Sequence, residues 1–591
     1  MSVASSKRVG ASPPSDGVRP GSQARIRVGL VGAPERVDVL VVGLGVTGAG
    51  VALDAASRGL SVLAVDAHDL AFGTSRWSSK LAHGGLRYLA SGSVGVAWES
   101  AVERGILLTR TAPHLVRPLP FLIPLIPAVS RAAAVVDFAG LWAGDALRRS
   151  ARTPGRLLPR PRRLSRRQVA ALAPGVRADA RGGLVFWDGQ LEDDARLVTA
   201  LARTAVAHGA DVRHRVRVRV VRRAAVGPLG DAGGRGGADP SGGTGQRAAG
   251  AALDGAEAMV DAEPARGTEL LGGAGAWLAA ELRDENTGHE SVVKARAVIN
   301  ACGVWADELV DDVRLRPSRG THLVVRADAA GSTRAALNVA IPGSVSRWVF
   351  SLPQADGTAY IGLTDDPITG AVPDVPAPGD GDAEFLLSVI NQALARPLGE
   401  ADVLGSFAGL RPLLDAAGQT ADLSRKHAVH RSPNGVITVV GGKLTTYRKM
   451  AEDAVDATGL APGRCVTRDL PLLGATGPSA SGSDAGGSDA GRCGAGALAA
   501  DAGATGRLAR RFGAEAELVL ATAREATGLP EAELTAPAAR GATLAELVFA
   551  ITHEGARTVE DLLDRRTRVG LVPADRAAAV PLAERALSLV G

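Results

Sequence analysis

Residues 38–66 constrain this chain more than any other stretch. They read Asp-Val-Leu-Val-Val-Gly-Leu-Gly-Val-Thr-Gly-Ala-Gly-Val-Ala-Leu-Asp-Ala-Ala-Ser-Arg-Gly-Leu-Ser-Val-Leu-Ala-Val-Asp. The apolar run Val39–Val42 suits a strand buried on both faces. Gly43, Gly45 and Gly48 follow as G-x-G-x-x-G, and a helix-compatible segment runs to Arg58, with Gly59 as its stop signal. A second apolar strand, Ser61–Val65, ends in Asp66, 23 residues after Gly43. Gly43 permits a tight turn, Gly45 lets the backbone approach a pyrophosphate, and Gly48 lets helix and strand pack closely. The helix N-terminus offers unbonded N–H groups and a positive dipole end to phosphates. Asp66 stands where a ribose hydroxyl is bound. A lone G-x-G-x-x-G says little, but strand, helix, strand and terminal acid in register predict a dinucleotide site in an α/β fold. The motif does not separate FAD from NAD, and no second fingerprint of this kind occurs.

The 591 residues are 46% apolar and 22% charged, ordinary for a globular chain with room for more than one core. Aromatics at 3%, with a net charge of only +5, argue against a base-stacking nucleic-acid binder, so no nucleic-acid partner is expected. Cys302, Cys465 and Cys493 show neither a disulfide framework nor metal-ligand spacing. No metal site is expected, and a reducing cytosol is the natural compartment. No apolar run reaches the length of a membrane span, and no signal-type segment is read at the N-terminus. Residues 1–35, rich in Ser, Pro, Gly and Arg, are expected to be a disordered tail, with the fold starting at Val37. Residues 226–273 read as a low-complexity insertion between two strands, and 473–505 as a flexible linker. The linker separates a body, 36–472, from a tail, 506–591, with helical periodicity.

Beyond the fingerprint, residues 74–90 read Thr-Ser-Arg-Trp-Ser-Ser-Lys-Leu-Ala-His-Gly-Gly-Leu-Arg-Tyr-Leu-Ala. Further blocks follow in order: Val298-Ile-Asn-Ala-Cys-Gly-Val-Trp-Ala-Asp307, Arg319-Gly-Thr-His-Leu-Val-Val325, Gly409-Leu-Arg-Pro-Leu413 and Gly441-Gly-Lys-Leu-Thr-Thr-Tyr-Arg-Lys-Met450. A last block spans His553 to Gly570. Together they resemble the FAD-dependent sn-glycerol-3-phosphate dehydrogenases of the aerobic, respiratory kind, within the wider amine-oxidase-like flavoproteins. The resemblance covers about 36–225, 276–472 and 506–591. It implies an α/β fold: a discontinuous Rossmann-like FAD-binding domain, a mixed-sheet substrate domain drawn mainly from 311–400, and an all-α C-terminal domain. The departures are small. Gly43-Leu44-Gly45 stands where the family often has three glycines, and Asp66 where it often has Glu. The tail and the two insertions lie outside the pattern.

The resemblance also implies site residues. FAD is the cofactor and sn-glycerol 3-phosphate the substrate. Thr74, Ser75 and Ser79 become hydroxyl donors to FAD, with His83 in a flavin-contacting block and Gly303 and Trp305 in a second such segment. Gly441, Gly442, Lys443, Leu444 and Thr445 would aim backbone N–H groups at the flavin, where a positive end favours the reduced anion. Arg87, Arg411 and Lys443 are cation candidates for the substrate phosphate, Arg347 is a further one, and Tyr88 could donate a hydrogen bond. As hydride leaves C2, the hydroxyl proton must leave too. Arginine cannot take it. His322 is the most suitable neutral base, with His83 second. Cys302 reads as inert core, Asp193-Asp194 as an N-cap, and Asp365-Asp366 as a turn or cap.

Electrons must then leave to an external acceptor. The resemblance implies a membrane quinone, with oxygen as the alternative. Residues 148–167 carry nine Arg and no acid, after apolar stretches at 121–127 and 132–147. Apolar plus basic suits a peripheral membrane surface. The plainer reading is a solvated basic loop on a core helix, with 121–127 a strand of the substrate domain. The expected location is cytoplasmic, on the inner face of the cell membrane. A non-catalytic flavin-binding regulatory module is the alternative of another class, and it leaves Arg87, Arg411 and Lys443 without a task. Arg565-Arg566-Thr567-Arg568 is either a surface cluster or an interdomain contact. The oligomeric state stays open, a homodimer included.

Overall fold

The computed structural model describes residues 23–90, 92–224, 277–344, 347–415, 426–475 and 504–590. The opening unit is the expected one. Strand Arg36–Val42 is followed by helix Val46–Ser57 and strand Val62–Asp66, paired in parallel with Val39 opposite Val62 and Val42 opposite Val65. Val39, Leu40 and Val41 are wholly buried, as a strand covered on both faces must be. On the other side of Arg36–Val42 lies Glu290–Asn300, also parallel, and beyond it Ile437–Val440. The domain is therefore discontinuous, as expected. Among the described residues nine strands form this sheet. Strands Val216–Arg223 and Leu278–Asp284 pair directly as a hairpin, so the 226–273 stretch is spliced into its turn. That stretch, residues 1–22 and most of the expected linker lie outside the described residues.

The expectation that the tail runs to residue 35 is corrected. Arg27–Val28 adds a parallel strand beside Asp211–His214, and Ala24, Ile26 and Leu30 are buried. Arg213 holds the following loop by donating to the carbonyls of Gly29, Val31 and Gly32 at 3.0, 2.7 and 2.8 Å. Three apolar anchors and one distant arginine suffice, and a Ser/Pro/Gly/Arg-rich composition conceals them.

A second, mixed sheet has ten strands among the described residues. Its origin in 311–400 also needs correction. Ser318–Arg326, Trp348–Pro353, Thr358–Gly362 and Val403–Arg411 come from that region and its edge. Val116–Pro124 and Gly183–Leu191 belong to it equally, paired antiparallel with Phe121 opposite Phe186. The 121–127 run thus opens as a strand. Helix Arg131–Ser150 follows it and carries the apolar residues of 132–147.

The C-terminal region is helical, with Ala504–Phe512, Ala516–Thr527, Leu544–Glu554 and Pro573–Val590 around a core that includes Phe549, Leu547 and Leu563. Its arginine cluster is an interdomain contact, not a surface. Asp69 receives Arg565 Nε at 2.6 Å and Arg566 Nη2 at 2.7 Å, all three side chains being nearly inaccessible. Asp193 caps helix Asp194–Ala207, as read from the sequence, and also receives Arg511 at 2.8 Å. Buried charges in such numbers persist only because each is paired.

Candidate active site

Between the two sheets runs a cavity of about 1700 Å³, lined from one side by the fingerprint and from the other by the second sheet. Gly43 turns with φ +98°, and a Cβ there would lie 2.7 Å from the Ala301 carbonyl. A Cβ at Gly48 would lie 1.8 Å from the Gly43 carbonyl oxygen, so strand and helix touch backbone to backbone. At Gly45 a Cβ would meet only Ser75 Oγ, and the backbone is bare to the cavity. Ser75 accepts the Val46 N–H at 2.9 Å, and the remaining first-turn N–H groups have no helical acceptor. Asp66 lines the same end and accepts from Leu44 N at 2.6 Å and His68 N at 2.8 Å. Burial, with Asp69 adding a like charge, raises its pKa against those two bonds. Gly303 and Trp305 form the wall there, the Trp305 ring filling the space beside Gly73.

At the other end Gly441 and Gly442 both take positive φ, +75° and +69°. They carry the chain from strand Ile437–Val440 into the turn Leu444–Thr446 and helix Tyr447–Thr458. Gly441 through Thr445 line the cavity. Four buried polar atoms on its lining residues have no protein partner: Trp77 Nε1, His322 Nδ1, Asn338 Oδ1 and Thr445 Oγ1. Buried polar groups are normally paired. A long cavity with a phosphate cradle at one end and orphaned donors and acceptors at the other fits a flavin dinucleotide.

His322 lies on strand Ser318–Arg326, opposite Phe407 on the antiparallel strand Val403–Arg411. Its ring stacks on Phe407 at 4.7 Å between centroids, and Nε2 lies 2.8 Å from Ser79 Oγ. Burial, reinforced by Lys80 and Arg411, pushes its pKa down to about 3, so the ring is neutral. Lys80 is wholly buried and donates to Asp194 at 2.7 Å, which also binds Ser78. Arg411 ends the neighbouring strand. Its guanidinium donates to the Thr364 carbonyl at 2.9 Å and to Ser318 Oγ and Asp365 at 3.1 Å. Asp365 is therefore an ion-pair partner, which corrects its reading as a turn or cap. Lys443 reaches Ser100 Oγ and stands 4.1 Å from the Tyr88 ring centroid. Tyr88 in turn lies against His83, 6.2 Å between centroids.

The cavity thus gathers His322, Arg411, Lys443, Tyr88, His83, Ser79 and Arg347. Thr74 also lines it, but its hydroxyl donates to the Leu410 carbonyl at 2.6 Å and ties the two halves together. Ser75 and Ser79 likewise hold protein partners. Arg87 falls in helix Leu86–Ala90, and its side chain lies outside the described residues. Asp188 escaped the sequence reading. It accepts Gly84 N–H at 3.0 Å and Arg104 at 2.7 Å, and so fixes the His-Gly-Gly turn. The signal was a carboxylate inside the apolar run Gly183–Leu191.

Comparison with known proteins gives the following. The model of the FAD dependent oxidoreductase family matches residues 38–267 and 248–448, and that of the C-terminal domain of alpha-glycerophosphate oxidase matches 465–590. The chain is 47% identical over 567 residues to glycerol-3-phosphate dehydrogenase 1 of Mycobacterium tuberculosis, covering 93% of this chain and 95% of that one. It is 34% identical over 556 residues to the glycerol-3-phosphate dehydrogenase of Mycobacterium leprae, covering 91% and 82%. Among solved structures, the glycerol-3-phosphate dehydrogenase of Bacillus halodurans complexed with FAD shares the fold, with a TM-score of 0.63 at 24% identity, covering 95% and 92%.

Proposed function

Since the chain belongs to the FAD-dependent glycerol-3-phosphate dehydrogenase family and FAD is its cofactor, we propose that it oxidises sn-glycerol 3-phosphate to dihydroxyacetone phosphate and delivers the electrons to a membrane quinone. One observation carries this reading: a neutral buried histidine and the cations Arg411 and Lys443 share one cavity with the dinucleotide cradle.

Gly43, Gly45 and the first turn of helix Val46–Ser57 would hold the pyrophosphate, Asp66 the ribose, and Gly441 to Thr445 the flavin. When bound, FAD supplies the acceptor for the hydride that leaves C2 of the substrate. The protein does the rest. Arg411 presents a planar fork to the phosphate, its orientation held by Asp365, Ser318 and the Thr364 carbonyl. Lys443 adds a compact charge, and Tyr88 beside it a hydroxyl. His322 takes the hydroxyl proton. If Nε2–H donates to Ser79 Oγ, the lone pair of Nδ1 is free for it. The buried ring is a weak base with the charges of Lys80 and Arg411 beside it. A phosphate dianion bound at Arg411 adds negative charge beside the ring and offsets part of that effect, so the base strengthens as substrate arrives.

Helix Arg131–Ser150 supports the quinone reading. Asp137, Gly140 and Leu141 line the cavity. On the same helix Val135, Val136 and Trp142 are exposed, as are Val94 and Trp98 on helix Val94–Ile106, which packs against it. The arginine-rich stretch 148–167 follows directly. Among the described residues no helix is long and apolar enough to cross a membrane. An apolar helix face followed by basic chain is suited to lie on anionic lipid at the inner face of the cell membrane, with acceptor reaching the cavity along that helix. The test is turnover with substrate and a quinone embedded in anionic vesicles, set against oxygen uptake without them. Vesicle-dependent quinone reduction with little oxygen consumption is expected. Peroxide formation at the same rate without vesicles would replace the dehydrogenase reading with an oxidase.

A further inference from the structure

A second cavity, of about 470 Å³, lies where the segment before the first serine pair meets the C-terminal region. Arg76 lines it, 6% exposed, its guanidinium over the rings of Trp77 and Phe72 at 4.1 and 5.3 Å. Arg76 Nε donates to the Phe72 carbonyl at 2.8 Å, and among the described residues Arg76 makes no ion pair. Its neighbours on the cavity wall differ. Arg565 is paired with Asp69 and Asp561, Arg215 with Asp561 at 2.9 Å, and Arg576 with Asp564 at 2.9 Å and Glu560 at 3.3 Å. The wall carboxylates Glu560 and Asp564 pair with Arg576, and Arg76 has no ion pair of its own; Asp564, Asp69 and Asp194 favour its charge only from beyond ion-pair distance. A buried cation in this position is costly unless an anion joins it. Burial and the like charge of Arg565 pull its pKa down to about 10 against the more distant Asp564, Asp69 and Asp194.

We propose that this cavity is a second anion site, in which the free edge of the Arg76 guanidinium binds the phosphate group of a small phosphomonoester or of inorganic phosphate. A stacked guanidinium presents a fixed fork that matches two phosphate oxygens. The volume exceeds what a bare ion fills, which leaves room for an organic portion. The site is separate from the cavity that holds Arg411, and its position is consequential. Arg76 sits between Ser75, which caps the dinucleotide helix, and Trp77, which stacks on Phe407 beneath His322.

Equilibrium dialysis of the holoenzyme with radiolabelled inorganic phosphate, and separately with glycerol 2-phosphate, tests this. Two equivalents per flavin are expected for the native protein, one for Arg76→Met and one for Arg411→Ala. The Arg411 arm reports on the active-site reading, so the two readings fail independently. Arg76→Lys covers the case in which Arg76→Met does not fold: it keeps the charge, loses the fork, and should weaken the second equivalent by about tenfold. Binding of glycerol 2-phosphate to that equivalent assigns it to an organic phosphate, and binding of inorganic phosphate alone assigns it to the free ion. Retention in Arg76→Met of every equivalent that the native protein binds would overturn the proposal.

Discussion

The hydroxyl of Ser79 lies 2.8 Å from Nε2 of His322, on a ring stacked against Phe407 and shut off from bulk solvent. The hydroxyl can accept from Nε2–H or donate to a bare Nε2, so it is coupled to the proton arrangement of the imidazole. His322→Asn should lower kcat by roughly 10²–10⁴ with a smaller change in KM, the range for a lost general base. Ser79→Ala should lower kcat about tenfold, one hydrogen bond's worth, and Ser79→Thr should restore most of it. Steady-state kinetics across pH checks both. Equal losses in the two serine variants would deny Ser79 a hydrogen-bonding part.

Arg411 and its ion-pair partner Asp365, 3.1 Å away, both line the cavity. Arg411→Ala removes the fork and leaves the Asp365 carboxylate near an incoming phosphate. We expect kcat/KM for sn-glycerol 3-phosphate to fall at least 100-fold, since charged hydrogen bonds are worth about 1.5–3 kcal/mol each. For glycerol, which has no phosphate, the fall should be much smaller. Similar losses for both would move Arg411 out of phosphate recognition.

Asp69 is wholly buried and joins two arginines of the C-terminal region to the FAD-type domain. Although burial opposes it, Arg566, His214 and Arg565 hold its carboxyl far below the usual range. Asp69→Ala strands two buried cations and should cost about 3–5 kcal/mol. Urea unfolding measures the loss, and limited proteolysis should release the C-terminal helices early.

His322 and His114 are kept neutral in the fold, chiefly by burial, with pKa values lowered to about 3 and about 4 from 6.5. Between those values and 6.5 the unfolded chain binds more protons than the native one. Stability should therefore fall as pH drops from about 6.5 toward 4, before the paired carboxylates titrate. Thermal midpoints from pH 7.5 to 4 check the slope, and His114→Gln should flatten it.

Gly48 admits no side chain, because a Cβ would fall 1.8 Å from the Gly43 carbonyl. Gly48→Val should purify with little bound flavin, read as the ratio of visible to protein absorbance. Gly45→Ala, with only Ser75 Oγ in reach at 3.1 Å, should bind FAD more weakly yet fold normally.

How much of this was legible depended on range. The fingerprint is local: turn, helix and acid lie within 29 residues, and their physics needs no distant partner. The blocks around His322, Arg411 and Lys443 fall on one cavity. What they could not convey was pairing across the fold. Asp365 becomes the partner of Arg411 only because two strands align Ser318 with Arg411. Thr74 looked like a free donor and is spent on Leu410. Arg565 and Arg566 could have been a surface cluster until Asp69, nearly five hundred residues away, was seen beneath them. The 23–35 segment was hidden by composition, although Ile26 and Leu30 were its anchors.

The measurement that bears most directly on the central claim is the visible spectrum of the purified protein, kept anaerobic, before and after sn-glycerol 3-phosphate. The account predicts a flavin band that this substrate bleaches in the native protein and fails to bleach, at the same concentration, in Arg411→Ala. A flavin band that persists in the native protein would contradict the assigned substrate while leaving the fold and the cofactor in place.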